Sequence, residues 1–189
     1  SVFKAVLQGE DGDAQFENPK LFAEYALEGI VVSRETKRSS SHAPKLFDLA
    51  ALQAEAGSKY KFKPDQTLEI VQRLYEKHKV ISYPRTQCRY VSTEKAKEFP
   101  AMLENLSVFE DLKSIANGID PDVFEKILKD KAVVNDTEVA KESHDALLPT
   151  LKRPDLPRMS REEQIICRMI YTRLLAQFLP KLEEEKTTI

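Results

Sequence analysis

Cysteine is scarce in this sequence, with two residues, Cys88 and Cys167, in 189. They form no short paired motif and share no metal-binding spacing with histidine, which fits a reducing compartment. Five glycines and ten prolines are too few for a collagen-like or glycine-rich repeat. No apolar run approaches the ~20 residues that a membrane span needs. The start, Ser1 to Val6, lacks the apolar stretch and cleavage pattern of a secretory signal. Internal repeats and low-complexity tracts are also missing. These absences point to a soluble, cytoplasmic protein with no membrane partner. What is present, 41% hydrophobic and 32% charged residues, allows a sizeable core in one large domain, or in one domain plus part of another.

The net charge of -2 argues against coating nucleic acid by bulk electrostatics. Its distribution is uneven. Residues 1–30 carry 2 basic and 6 acidic side chains, residues 31–95 carry 13 and 7, and residues 96–189 carry 14 and 18. The middle third, at +6, is where a polyanion would bind, unless the clustering is an ordinary solvated surface.

Residues 1–42 read as a strand-rich segment too small to enclose its own core. Phe3 to Leu7 alternates like a strand, Gly9 to Asp13 is a turn, Asn18-Pro19 opens a short helix, and Ile30-Val31-Val32 is a short strand. Residues 34–44 are basic, polar and unpatterned, and the main boundary falls there. Residues 43–180 read as mainly helical. Asp48 caps a helix stopped near Gly57, and Pro64-Asp65 opens the next, striped by Leu68, Val71, Leu74 and Tyr75. A short strand at Val80 to Tyr83 completes what resembles a winged-helix arrangement. Ser92 caps a helix to about Leu106, and Asp120-Pro121 starts another. Val133-Val134 and Val139 flank a turn at Asn135-Asp136, a small hairpin. Ser160 and Glu163 form a capping box for a long helix closed by Pro180. Residues 181–189 are charged and featureless. The fold class is therefore mainly α with a small β contribution.

The chemistry concentrates in Lys79 to Tyr90. Pro84 pushes Tyr83 towards an extended conformation, and in an extended stretch Tyr83, Arg85, Gln87 and Arg89 share one face. A phenol beside guanidinium groups suits attack on a phosphodiester, with Arg85 forked onto the phosphate. The same residues also fit a strand with an ordinary polar face. Lys59-Tyr60-Lys61-Phe62-Lys63 interleaves cations with aromatic rings, as a nucleic-acid contact or a solvated loop would. Cys88 has no histidine beside it to activate it, so a cysteine enzyme is not indicated. Cys167 reads as core.

Ile81-Ser82-Tyr83-Pro84-Arg85-Thr86-x-Cys88 closely resembles the nucleophile segment of type IA DNA topoisomerases, especially the topoisomerase III branch, whose pattern is I-[TS]-Y-[PM]-R-[TS]-D-[SC]. Two more stretches match in order. Ala43-Pro44-Lys45-Leu46-Phe47-Asp48-Leu49 is similar to the opening of the family's nucleophile domain, and His144-Asp145-Ala146-Leu147-Leu148-Pro149-Thr150 is similar to its H-[EH]-A-I-x-P-[TS] motif. With Leu74-Tyr75-Glu76, the resemblance covers about residues 43–180.

The resemblance implies a winged-helix, CAP-like nucleophile domain over 43–180, inserted in part of an arch β-sheet domain. Residues 1–42 would belong to that arch, and residues 181–189 would begin the return to it. It implies an enzyme that cleaves and reseals one DNA strand through a 5′-phosphotyrosine, allowing strand passage without ATP. Tyr83, Arg85 and His144 would be catalytic, with Arg85, Gln87 and Arg89 contacting single-stranded DNA. Magnesium would serve the parent enzyme, bound by a Toprim domain absent from this chain, and these residues would hold none. Asp11-Gly12-Asp13 has the bare D-x-D spacing of that metal site but reads as a loop, lacking a buried strand before it. Gln87 departs from the family's aspartate, which removes a negative charge beside Arg85 and Tyr83. The chain would be a fragment, probed apart from its parent as an inactive piece. A non-catalytic winged-helix DNA-binding module is the alternative reading, and a protein-interaction scaffold is a third.

Overall fold

The computed structural model describes residues 8–9, 12–13 and 35–188. The expected strands at Phe3 to Leu7 and Ile30 to Val32, and the helix from Asn18-Pro19, lie outside the described residues. The chain divides into two units, residues 42–180 and residues 1–41 with 181–189.

In the smaller unit, β1 (Gln8–Gly9) pairs antiparallel with β2 (Gly12–Asp13). β3 (Glu35–Ser41) pairs antiparallel with β4 (Leu182–Thr188), from Glu35 opposite Thr188 to Ser41 opposite Leu182. Both segments read as unpatterned in the sequence, and both are strands. The ribbon has no apolar face to write a period of two. Cross-strand polar pairs hold it instead. Arg38 Nε donates to Glu185 Oε2 at 2.9 Å, and the hydroxyls of Thr36 and Thr187 meet at 3.1 Å.

The larger unit is mainly helical. Asp48 Oδ1 accepts the Ala51 amide at 2.6 Å and starts α1 (Leu49–Tyr60). This helix does not stop at Gly57. The chain reverses at Lys61, whose φ of 62° is left-handed and whose amide returns to the Gly57 carbonyl. A Cβ on Gly57 would lie 3.3 Å from the Phe62 carbonyl oxygen, so the glycine serves close approach rather than termination. Pro64 occupies the first turn of α2 (Pro64–Arg73), where its missing amide has no intrahelical role. α2 runs into a single π turn, Leu74–His78, closed by left-handed Lys79 (φ 58°) and by the Val80 amide on the Leu74 carbonyl.

Ser92 caps α3 (Thr93–Ala96), but no single helix reaches Leu106. Pro100 lies in the first turn of a separate α4 (Phe99–Glu104), followed by a 3-10 turn at Asn105–Val108. After α5 (Glu110–Asn117), Asp120 caps α6 (Pro121–Lys129) as its Asp-Pro pair indicates. The expected hairpin at Val133 to Val139 does not form. Val134 bridges in parallel to Val91, and the Asn135 side chain accepts the Glu138 amide to cap α7 (Asp136–Glu142). Asn-Asp thus opens a helix rather than turning a hairpin, the other use of short polar side chains. The Ser160–Glu163 capping box opens α8 (Arg161–Ala176).

α2 packs on both α1 and α8, and the core between them is Leu52, Ile70, Val71, Leu74, Ile166 and Ile170, each at most 1% exposed. Phe178 receives the rings of Phe99 (5.6 Å) and Phe124 (5.0 Å), which ties α4 and α6 to the end of α8. No helix among the described residues is long and apolar enough to cross a membrane.

Candidate active site

Three stretches far apart in sequence, 45–49, 79–91 and 144–150, are laced together by main-chain hydrogen bonds. Phe47 pairs with Leu147 and Ile81 with Pro149 as isolated antiparallel bridges. The Ser82 amide donates to the Leu148 carbonyl at 2.8 Å, Thr150 N to Val80 O at 3.0 Å, Ala146 N to Tyr90 O at 2.8 Å, and Leu49 N to Thr86 O at 3.2 Å. Ser82 adds a second stitch, since its hydroxyl accepts the Leu148 amide at 2.9 Å and donates to the Ala146 carbonyl. From below, the fully buried Tyr171 of α8 points its hydroxyl at the Val80 carbonyl, 3.4 Å away. Burial pushes that phenol far above its ordinary pKa, so Tyr171 is a prop and not a nucleophile.

On this frame the segment after Ser82 alternates with period two. Pro84, Thr86 and Cys88 are buried, while Tyr83, Arg85 and Gln87 face solvent. Tyr83 is 39% exposed, and its hydroxyl has no hydrogen-bond partner among the described residues. Its ring meets two others. His144 approaches to 4.7 Å between ring centroids, and Tyr75 and Tyr83 form a T-shaped pair at 5.8 Å with planes at 80°. His144 reaches this place because Ser143, at φ 62°, takes the left-handed cap of α7 and turns the chain. Asp145 then accepts the Ser92 amide at 2.6 Å. A cleft of about 630 Å³ opens beside Arg85, lined also by Asp48, Gln53, Leu68, Gln87 and Glu142.

Arg89 leaves the shared face. It is half-buried, and its guanidinium donates to the carbonyls of Leu46 (3.0 Å) and Lys45 (3.5 Å), so it fastens the 45–49 stretch to the tyrosine segment. Arg173 does the same from α8, and nothing in its spacing marks it out. It lies 3.9 Å over the Phe47 ring, donates to Lys45 O at 2.9 Å and pairs with Glu55. His42 is exposed. His78 is buried, its Nε2 3.3 Å from Glu163 Oε2 but off hydrogen-bond geometry, so that nitrogen has no hydrogen-bond partner among the described residues. Lys61, in the Lys-aromatic run, serves the reversal after α1, and the rings of Tyr60 and Phe62 meet at 5.9 Å. Cys88 and Cys167 are buried free thiols, and burial raises both, Cys167 to about 12. Neither is a thiolate near neutral pH. No group of three or more His, Cys, Asp or Glu among the described residues could hold a metal ion.

An extended segment presenting a tyrosine against a histidine and a second tyrosine, with an arginine two residues on, occurs here in a chain whose residues 11–189 match the DNA topoisomerase family model. The chain belongs to that family, as a type IA, topoisomerase III-like member. Among curated relatives it is 32% identical to DNA topoisomerase 3 of Bacillus licheniformis over 167 residues, 87% of this chain and 22% of that protein. It is 34% identical to DNA topoisomerase 3 of Shouchella clausii over 158 residues, covering 84% of this chain and 21% of the relative. Its fold is similar to full-length topoisomerase I from Thermotoga maritima, with a TM-score of 0.56 and 20% identity, over 92% of this chain and 27% of the other. The chain thus spans under a quarter of the length of these curated relatives.

Proposed function

We propose that residues 43–180 are the nucleophile domain of a type IA topoisomerase, acting within a longer chain of the relatives' kind, and that Tyr83 attacks one strand of DNA. The observation that carries this reading is the exposed Tyr83 phenol, without a hydrogen bond among the described residues and set against His144 on a frame built by the three family-like stretches. In the forward step Tyr83 Oη forms a bond to phosphorus and the bond from phosphorus to the 3′ oxygen breaks. This leaves a 5′-phosphotyrosine and a free 3′ hydroxyl. The phenol loses a proton and the departing oxygen gains one, and His144 is the ring placed to carry it. Arg85, exposed beside the cleft, forks onto the phosphate and offsets the charge that develops on its oxygens. Resealing is the same step reversed, which requires no ATP because the phosphodiester energy is retained in the tyrosine ester. Between the two steps another strand passes through the gap.

DNA contact falls to Arg85 and Gln87, which line the cleft. Arg89 acts indirectly, by holding the tyrosine segment. The helix pair α1 and α2, followed by the extended segment at Val80, is read as a winged-helix arrangement. The β3–β4 ribbon is read as part of the arch. Magnesium is read as a cofactor of the longer chain, where it would add charge stabilisation at the phosphate; the steps above describe what this chain's own side chains do.

The test is detection of a protein–DNA adduct on a denaturing gel, with end-labelled single-stranded DNA and the complete enzyme. Tyr83→Phe removes only the hydroxyl and is expected to abolish the adduct while noncovalent binding persists. An adduct formed by Tyr83→Phe would remove Tyr83 from the mechanism.

A further inference from the structure

We infer that Tyr75 is the positioning residue of the Tyr83 side chain, its ring holding the phenol in the orientation needed for in-line attack; the inference rests on the reading of Tyr83 as nucleophile. The main chain at Tyr83 is fixed from one side by the Ser82 hydrogen bonds to Ala146 and Leu148. Those bonds do not fix the ring. The hydroxyl has no partner among the described residues, and the side chain is 39% exposed, so neither hydrogen bonding nor enclosure selects a rotamer. What selects it is ring packing, and two rings supply it. His144 lies tilted at 41° against Tyr83, and Tyr75 stands at 80°, its contact an edge-to-face pair at 5.8 Å.

The mount that carries Tyr75 is fastened by buried neighbours and cap hydrogen bonds. It is the π turn Leu74–His78, a form found mostly as single turns within helices and often at functional sites. Leu74 and His78 are buried on either side of Tyr75, and Lys79 closes the turn with the Val80 amide bound to the Leu74 carbonyl. Tyr75 itself is 38% exposed and its hydroxyl makes no hydrogen bond among the described residues. Its ring contributes little to the core. Its effect falls on the neighbouring phenol, where misplacement by about 1 Å costs on the order of a hundredfold in rate.

The experiment uses the complete enzyme and end-labelled single-stranded DNA, measuring adduct formation in a single turnover at saturating protein, and DNA affinity separately. Tyr75→Ala is expected to slow the saturated rate about ten- to a hundredfold with unchanged affinity. Tyr75→Leu keeps apolar bulk without a flat edge, is expected to show the same loss, and stands in should the alanine variant misfold. Tyr75→Phe keeps the ring and is expected to restore the rate. Full-rate cleavage by the alanine and leucine variants overturns the inference and leaves Tyr83 as the nucleophile. So does a loss shared by Tyr75→Phe, which would assign the role to the hydroxyl. Weakened affinity with an unchanged saturated rate would make Tyr75 a DNA contact and also overturns it. A Tyr83→Phe control that still forms the adduct overturns both readings together.

Discussion

His144 and Tyr83 place their rings 4.7 Å apart although they belong to different motifs, and the contact exists because the 79–91 and 144–150 stretches hydrogen-bond along their length. The pairing is made by main-chain atoms and by the Ser82 hydroxyl, so it uses neither of the two rings.

That freedom sets the expected ranking of substitutions in the complete enzyme. On the proposed roles, Arg85→Ala would remove charge stabilisation and His144→Ala proton transfer, and both would leave the nucleophile. Each is expected to slow adduct formation by about 10²–10³-fold, against total loss for Tyr83→Phe. Single-turnover cleavage of a labelled strand measures the order. Loss of either side chain as complete as loss of the phenol would contradict the assigned roles.

DNA affinity of this chain alone is expected to be weak and to fall steeply with salt. Part of the +6 balance over residues 31–95 is already answered within the protein, by Glu185 on Arg38 and Glu163 on Arg73. Fluorescence anisotropy with a labelled single strand across a salt series checks this, and supercoiled plasmid is expected to remain unrelaxed by this chain at equimolar protein.

Acid stability should depend on Glu163. Burial alone would raise its carboxyl, but the Ser160 amide, Arg73 and His78 together outweigh it and hold the pKa below its ordinary 4.5. A depressed folded pKa means that stability is fully present above about 4.5 and lost as pH falls through the folded value. Glu163→Ala also takes away the closer partner of Arg73, leaving it Glu69 at 4.0 Å, and removes half the capping box. It is expected to cost about 2–4 kcal/mol at neutral pH, and Glu163→Gln to flatten the acid limb of a melting-temperature profile against pH.

Both thiols should resist modification while the protein is folded. Cys88 is 2% exposed and Cys167 0%, and burial raises their pKa values. A thiol reagent at pH 8 is expected to label neither until denaturant is added. Rapid labelling of Cys88 in native buffer would show that the tyrosine segment opens.

What was legible in the sequence is what is local. Asp48, Asp120 and Ser160 announce helix starts because a cap bonds to an amide two or three residues away. The alternation of Tyr83, Arg85 and Gln87 follows from extended backbone after a proline-constrained residue. Features decided across the chain were not legible. β3 and β4 lack an apolar period because their complement lies in each other, basic and hydroxyl residues against three glutamates. Arg89 and Arg173 look like surface cations until the carbonyls of residues 45 and 46 turn towards them. Asn135-Asp136 could serve a turn or a helix cap equally well, and only the parallel bridge from Val134 to Val91 decides.

The pairing of Ser41 with Leu182 also bears on how the chain can be rewired. Partners in an antiparallel ladder stand about 5 Å apart, so everything between them departs from and comes back to nearly one point. A short turn joining Ser41 directly to Leu182 would leave a self-contained hairpin, and the excised 42–181 stretch could have its own ends spliced by a few residues and new termini opened in a surface loop. Such a splice treats the body that bears the tyrosine as an exchangeable part.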